Sequence, residues 1–149
     1  MTALTDPLAE GAVRAVWEAG RLLADPAAVR SIRAKSETDY VTNVDLAVQM
    51  FLRERLAALA PDVQFMGEEQ DNSALDLTRP CWILDPVDGT TNLIHQFQHS
   101  AISLALAEGG QIVFGVVYNP YTEECFAACR GGGAFRNGVS IQVSTVSRL

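Results

Sequence analysis

Two aspartates, Asp85 and Asp88, lie three positions apart directly after a short apolar run. The run Cys81 to Leu84 is typical of a buried strand. Pro86 cannot donate a ladder hydrogen bond, which predicts that the strand ends at Asp85. Both carboxylates would then project from the carboxyl edge of a sheet. Carboxylates this close repel one another unless a cation lies between them, and oxygen ligands suit Mg2+, Ca2+ or Mn2+ rather than zinc.

The residues after the second aspartate could bind an anion. Gly89, Thr90, Thr91 and Asn92 suit a tight turn that opens a helix, and the amides at a helix start favour negative charge. A hard cation beside an anion-binding turn is suited to phosphate ester chemistry. Taken alone, Asp-x-x-Asp-Gly is also compatible with a surface turn and a helix cap, so both interpretations remain open at this point.

Composition limits the class of protein and its partners. The 149 residues suit one domain, and 11 basic against 18 acidic residues give a net charge of −7. This balance argues against nucleic acid or an anionic membrane as the main partner. No apolar run approaches the roughly 20 residues that span a bilayer. The three cysteines form no Cys-x-x-Cys pair and no secretory leader is present, so we expect a cytoplasmic protein with reduced thiols.

Two amphipathic helices are predicted ahead of the aspartates. Asp6 and a following proline open the first, whose apolar residues recur at helical spacing. Thr42 and Asp45 match a capping box that opens the second, and Pro61 closes it. The polar segment 31–40 between the helices is predicted to be a loop.

Most of the remaining chain is predicted to be antiparallel sheet. A short strand, Val63–Met66, leads to Gly67 and two glutamates, and a short helix follows Asn92 through Phe97. Further strands are predicted at Ala101–Ala107, Ile112–Tyr118, Glu124–Ala128 and Ser140–Val143, with a hairpin turn at Gly109-Gly110 between the first two. Helices followed by a mostly antiparallel sheet indicate an α+β fold, with residues 1–149 as one domain.

A longer string carries a family resemblance. Asp85-Pro-Val-Asp-Gly-Thr-Thr-Asn92, preceded by Trp82-Ile-Leu and by Gly67-Glu-Glu69, resembles the signature of the inositol monophosphatase family. Members of this family are Mg2+-dependent, lithium-sensitive phosphomonoesterases. The resemblance covers essentially the whole chain. It implies the first half of the layered fold shared with fructose bisphosphatase, with two long helices on one face of a six-stranded sheet.

The same resemblance implies a second domain that this chain lacks. In the family that domain completes the second metal site and much of the substrate surface. Without it, one face of the sheet would be exposed. We therefore expect a truncated product or a chain that self-associates, most simply as a dimer.

The resemblance also assigns roles to individual residues. The metal ligands it implies are Glu68, Asp85, the carbonyl of Val87 and Asp88, with Glu69 orienting the site. The catalytic residues it implies are Glu68, Thr90, Asp45 and Lys35, with Asp45 hydrogen-bonded to Thr90. The amides of Gly89 and Thr90 would hold the phosphate.

The implied function is Mg2+-dependent hydrolysis of a small phosphomonoester by metal-activated water, with inositol monophosphate as substrate. Two alternatives stay open. One is a related phosphatase acting on histidinol phosphate, fructose bisphosphate or 3'-phosphoadenosine phosphate. The other is a metal-binding fragment whose catalysis is impaired.

Overall fold

The computed structural model describes residues 6–27, 32–34 and 40–148. In chain order, its helices are α1 (Pro7–Leu23), α2 (Asn43–Leu59) and α3 (Thr90–Ile94). Its strands are β1 (Ile32–Ala34), β2 (Tyr40–Thr42), β3 (Gln64–Gly67), β4 (Cys81–Asp88), β5 (Ala101–Glu108), β6 (Gln111–Asn119), β7 (Glu124–Cys129), β8 (Gly133–Arg136) and β9 (Val139–Ile141). Lys35 lies outside the described residues.

Side-chain caps set the start of both long helices, as predicted. Asp6 accepts a hydrogen bond from the Leu8 amide at 2.9 Å at the start of α1. At the start of α2, the Thr42 hydroxyl accepts from the Asp45 amide, and the Asp45 carboxylate accepts from the Thr42 amide at 2.8 Å. This is the predicted capping box. Asp45 is therefore held in place by contacts at the start of its own helix.

The strands form a seven-stranded sheet in the order β3-β4-β5-β6-β7-β8-β9. Only the β3–β4 pair is parallel among the described strands, and the other neighbours are antiparallel. The predicted α+β class and mostly antiparallel sheet are confirmed, with seven strands in place of the expected six. The last strand runs Val139–Ile141 and not Ser140–Val143 as predicted.

The prediction of a loop over 31–40 is wrong where the structure describes that segment. Ile32–Ala34 pairs antiparallel with Tyr40–Thr42 to make a separate two-stranded sheet. Strand β2 leads directly into α2, so this small sheet holds the chain entering the Asp45 cap. The short length of each strand, three residues, explains why no alternation of polar and apolar residues was visible in the sequence.

Both long helices contribute to the same core as one face of the sheet. The cross-strand row Leu84, Leu104, Val116 and Ala127 is buried together with apolar residues of α1 and α2. Since side chains alternate along a strand, the neighbouring residues lie on the opposite face. Exposed apolar side chains lie there, including Val117 and Phe126, each 41% exposed.

Strand β4 does not end at Asp85, which corrects the prediction made from Pro86. The register against β5 shifts between Asp85, which pairs with Ser103, and Asp88, which pairs with Ala101. Two residues of β4 therefore stand opposite one of β5. This irregularity accommodates a residue without an N–H, because the ladder bond that Pro86 cannot donate is not required there.

No helix in the described part of the chain has both the length and the apolar character needed to cross a membrane.

Candidate active site

The acidic residues of the site follow two neighbouring parallel strands. The last registered pair of β3 and β4 is Gly67 with Leu84, and Glu68 and Asp85 come directly after it. The Glu68 amide donates to the Leu84 carbonyl at 3.2 Å, which continues the alignment by one residue. Parallel pairing thus places two carboxylates side by side although 16 residues separate them in the sequence.

Asp85 lies in an environment that disfavours its charge. Burial, the charge of Glu68, a hydrogen bond with Glu68 and the charge of Asp88 together raise the pKa of Asp85 to about 7. Asp85 is half-buried, whereas Glu68 and Asp88 are exposed. A hydrogen bond between two carboxyl groups requires a proton, and removing that proton leaves two negative charges in contact. The pair therefore provides negative charge that a cation would neutralise.

The predicted metal ligands are only partly assembled. Within residues 6–27 and 40–148, no three His, Cys, Asp or Glu side chains lie in an arrangement that could hold a metal ion. Glu68 contacts Asp85, and the charge of Asp88 contributes to the raised pKa of Asp85. The full set of Glu68, Asp85, Val87 and Asp88 stays a prediction.

A second network joins α2 to the turn after β4. The Asp45 side chain is 1% exposed, and one of its oxygens accepts from the Thr42 amide and hydroxyl, at 2.8 and 2.5 Å. The Thr90 hydroxyl lies 3.1 Å from the other Asp45 oxygen and 3.0 Å from the Val87 carbonyl oxygen. The predicted contact between Asp45 and Thr90 is therefore present, with Val87 in the same network.

Gly89 forms the turn that was expected to open a helix. Its φ of +93° belongs to the left-handed region, and an added Cβ would lie 3.0 Å from the His99 carbonyl oxygen. Helix α3 begins at the next residue but ends at Ile94, short of the predicted Phe97. The Ser100 hydroxyl donates to the Gly89 carbonyl at 2.8 Å. Ser100 is buried, with 3% of its surface exposed. Ser100 was not predicted, because its partner is a backbone carbonyl 11 positions away.

Gln49 was also missed. It lies one turn after Asp45 on the buried side of α2, is 7% exposed, and its side-chain oxygen accepts from the Glu69 amide at 2.9 Å. A polar residue within an apolar helical stripe was the available signal. Glu69 itself, predicted to orient the site, is half-buried next to Glu68.

Comparisons with known proteins show which sequences and structures this chain resembles. The family model described as the inositol monophosphatase family matches residues 4–149. An inositol-1-monophosphatase of Rhizobium meliloti is 42% identical over 140 residues, covering 92% of this chain and 53% of that protein. The crystal structure of the extragenic suppressor protein suhB from Bartonella henselae superposes with a TM-score of 0.89 at 35% identity, covering 97% of this chain and 56% of that one.

A second similar structure is Staphylococcal inositol monophosphatase-1, as an inhibitory complex soaked in LiCl. It gives a TM-score of 0.71 at 33% identity and covers 75% of this chain and 43% of that one. The chain spans about half the length of the curated relatives it matches.

Proposed function

This chain belongs to the inositol monophosphatase family, and on that premise we propose that it serves in Mg2+-dependent hydrolysis of a small phosphomonoester. The observation that carries the proposal is the contact between Glu68 and Asp85 across the ends of two parallel strands, with the charge of Asp88 nearby. A shared proton stabilises this acidic pair. Such a pair is suited to exchange its proton for a hard cation.

The donor atoms fit Mg2+. All are oxygens: the carboxylates of Glu68, Asp85 and Asp88 and the carbonyl of Val87. Mg2+ takes about six oxygen ligands and retains water where the protein supplies fewer. A site made from two touching carboxylates and one nearby charge would therefore be completed by water and by substrate phosphate. When bound, Mg2+ would supply positive charge that acidifies a coordinated water and stabilises the departing oxygen.

Thr90 would orient the attacking water. With the hydroxyl proton directed to Asp45, the lone pairs of Thr90 Oγ1 are left to accept a hydrogen bond from that water. Asp45 is suited to this role because its other oxygen is held by Thr42. Glu68 would take the proton released as the water oxygen attacks phosphorus. The bond from phosphorus to the ester oxygen breaks, and the leaving alcohol takes up that proton.

The phosphate would be held at the turn after β4. Amides at the first turn of a helix have no acceptor within the helix and favour an anion. The amides of Gly89 and Thr90 occupy this position in α3. Lys35, which the resemblance counts among the catalytic residues, is part of the same proposal.

Inositol monophosphate is the proposed substrate, because the relatives that match most of this chain are named inositol monophosphatases. Lithium inhibition is proposed from the LiCl-soaked inhibitory complex of the Staphylococcal relative. The cytoplasm is the proposed location, which the three free thiols of Cys81, Cys125 and Cys129 support. No nucleic acid or membrane partner is proposed.

Metal binding without turnover is the competing function. The acidic pair of Glu68 and Asp85 could bind a cation whether or not hydrolysis follows. The deciding experiment measures phosphate release from inositol 1-phosphate with Mg2+ and with a chelator, beside a Mg2+ titration by calorimetry. Mg2+-dependent release supports hydrolysis, heat of binding without release supports the competing function, and absence of both overturns the metal site. Histidinol phosphate, fructose bisphosphate and 3'-phosphoadenosine phosphate complete the panel.

A further inference from the structure

One buried amide on α2 has no part in the proposed chemistry. Gln49 lies between Val48 and Leu52 on a helix side that is otherwise apolar, and it is 7% exposed. Burying an amide side chain is unfavourable unless its polar atoms are hydrogen-bonded. Gln49 therefore needs a specific partner.

That partner is the backbone next to Glu68. The Gln49 side-chain oxygen accepts from the Glu69 amide at 2.9 Å, a contact between residues 20 positions apart. The side chain also passes so close to Gly67 that a Cβ added there would overlap the Gln49 amide group. A glycine at this position is thus required for the Gln49 side chain to reach the Glu69 amide.

Glu68 lies at the end of the regular ladder. The last β3–β4 pair is Gly67 with Leu84, and the Glu68 amide makes one further bond to the Leu84 carbonyl at 3.2 Å, so sheet pairing does not fix Glu69 or the residues after it. The residue before Glu68, Gly67, exchanges hydrogen bonds with the Asn72 side chain at 3.3 and 2.7 Å. The residue after it, Glu69, is fixed by its bond to Gln49. Glu68 is held between these two attachments.

We propose that Gln49 is a positioning residue for Glu68: its side-chain oxygen fixes the Glu69 amide and thereby sets the direction in which the Glu68 carboxylate meets Asp85. This inference rests on the proposed function, because it assigns Gln49 to the geometry of the cation-binding pair. A neutral amide suits the role, since it accepts the hydrogen bond without adding negative charge to the acidic cluster.

Three variants test the proposal. Gln49→Leu removes the acceptor. Gln49→Glu keeps an acceptor oxygen, because the two side chains have the same length. Gln64→Leu is the matched control, because Gln64 also bridges to backbone, with its amide 2.7 Å from the Asp76 carbonyl, but at the opposite end of β3. Mg2+ affinity is measured by calorimetry. The carboxyl 13C shift of Glu68 and the melting temperature are recorded without metal.

We expect Gln49→Leu to weaken Mg2+ binding by about 10- to 100-fold, as is usual when a residue supporting a metal ligand is lost. Gln49→Glu should bind Mg2+ more tightly than Gln49→Leu, because the acceptor oxygen is kept. Gln64→Leu should keep the wild-type affinity even if it melts as early as Gln49→Leu. Unchanged affinity in Gln49→Leu, or equal losses in Gln49→Leu and Gln64→Leu, overturns the proposal.

The carboxyl shift separates this inference from the proposed function. If the wild-type chain takes up no Mg2+, the proposed function fails. The positioning role is then decided without metal: the Glu68 carboxyl resonance must move in Gln49→Leu and stay in place in Gln64→Leu. A resonance that stays in place in both variants overturns the positioning role as well.

Discussion

Asp45 and Thr90 lie 45 positions apart in the sequence, and the Thr90 hydroxyl donates to the Asp45 carboxylate at 3.1 Å. This single bond joins the start of α2 to the turn after β4. Because Asp45 is also held by its own capping box, the hydroxyl of Thr90 is aligned by a rigid partner.

Replacing Thr90 with Ala should lower phosphate release by about 10²-fold or more, since a group that orients or deprotonates the attacking water is lost. Thr90→Ser keeps the hydroxyl and should retain most of the activity. The control is Thr122→Ala, which removes a hydroxyl bonded to the Glu124 carboxylate at 2.9 Å on the exposed surface. Initial rates with inositol 1-phosphate give the comparison. Equal rates for Thr90→Ala and wild type would remove Thr90 from the mechanism.

Asp85→Asn should separate metal binding from stability. Without metal, the substitution removes a charge that Glu68 and Asp88 oppose, so the melting temperature in chelator at about pH 8 should rise or hold. Mg2+ affinity should fall by at least about tenfold, because a ligand charge is lost. Calorimetry and thermal melts on the same preparation check both. A variant that binds Mg2+ as well as the wild type would contradict the proposed ligand role.

The pH dependence follows from the raised pKa of Asp85, about 7 in the folded chain against the ordinary 3.8. Between these values the folded state holds more protons than the unfolded state. Its free energy of unfolding in chelator should therefore fall as pH rises through this window. Protons also compete with Mg2+, so affinity should be about tenfold weaker at about pH 6 than at about pH 8. Denaturant titrations and calorimetry at both pH values test this, and a pH-independent affinity would contradict it.

Gly89→Ala should destabilise the chain by about 1–3 kcal/mol, the usual range for a residue held in a strained backbone conformation. The added Cβ meets both a φ of +93° and the His99 carbonyl oxygen at 3.0 Å. Gly110→Ala is the matched control, since its φ is +74° but nothing lies within 4 Å of an added Cβ. Denaturant unfolding should show a larger loss for Gly89→Ala. Equal losses would mean that crowding by His99 contributes nothing.

The apolar sheet face opposite the long helices should promote self-association of this chain. Phe126, 41% exposed, lies there under the Arg136 guanidinium, 6.0 Å from its ring centre. Phe126→Asn should shift sedimentation toward monomer at a given concentration, because apolar surface is removed from the contact. Leu77→Asn, which alters a 64% exposed residue outside the strands, should leave the distribution unchanged. A monomeric wild-type chain at all concentrations would contradict the predicted dimer.

Local signals predicted the helix starts and the hairpin turns well. The capping pair of Thr42 and Asp45 and the turn at Gly109 and Gly110, both with positive φ, depend on residues close in sequence. The prediction that β4 ends before Pro86 was wrong, because the effect of a missing N–H depends on the neighbouring strand. Only the register shift against β5 shows that the ladder tolerates it.

Sequence motifs named candidate residues for the site but not the contacts that support them. Glu68 was proposed from Gly67-Glu-Glu69, and Asp85 and Asp88 from the separate string that begins at Asp85. Gln49 and Ser100 act through contacts across 20 and 11 positions, with backbone groups as partners. Backbone partners leave no pattern of paired residue types in a single sequence, so these contacts become visible only once the strands are placed.

Strand β3 lies at the edge of the seven-stranded sheet and has a ladder partner on one side, β4. An edge strand can open locally at a lower free energy than the whole domain needs to unfold. Each such opening would carry Glu68 away from Asp85 while the β5–β6 hairpin stays closed. The lifetime of the acidic pair should therefore depend on the fraying of the four residues of β3. A bound cation should reduce that fraying by linking the two strands.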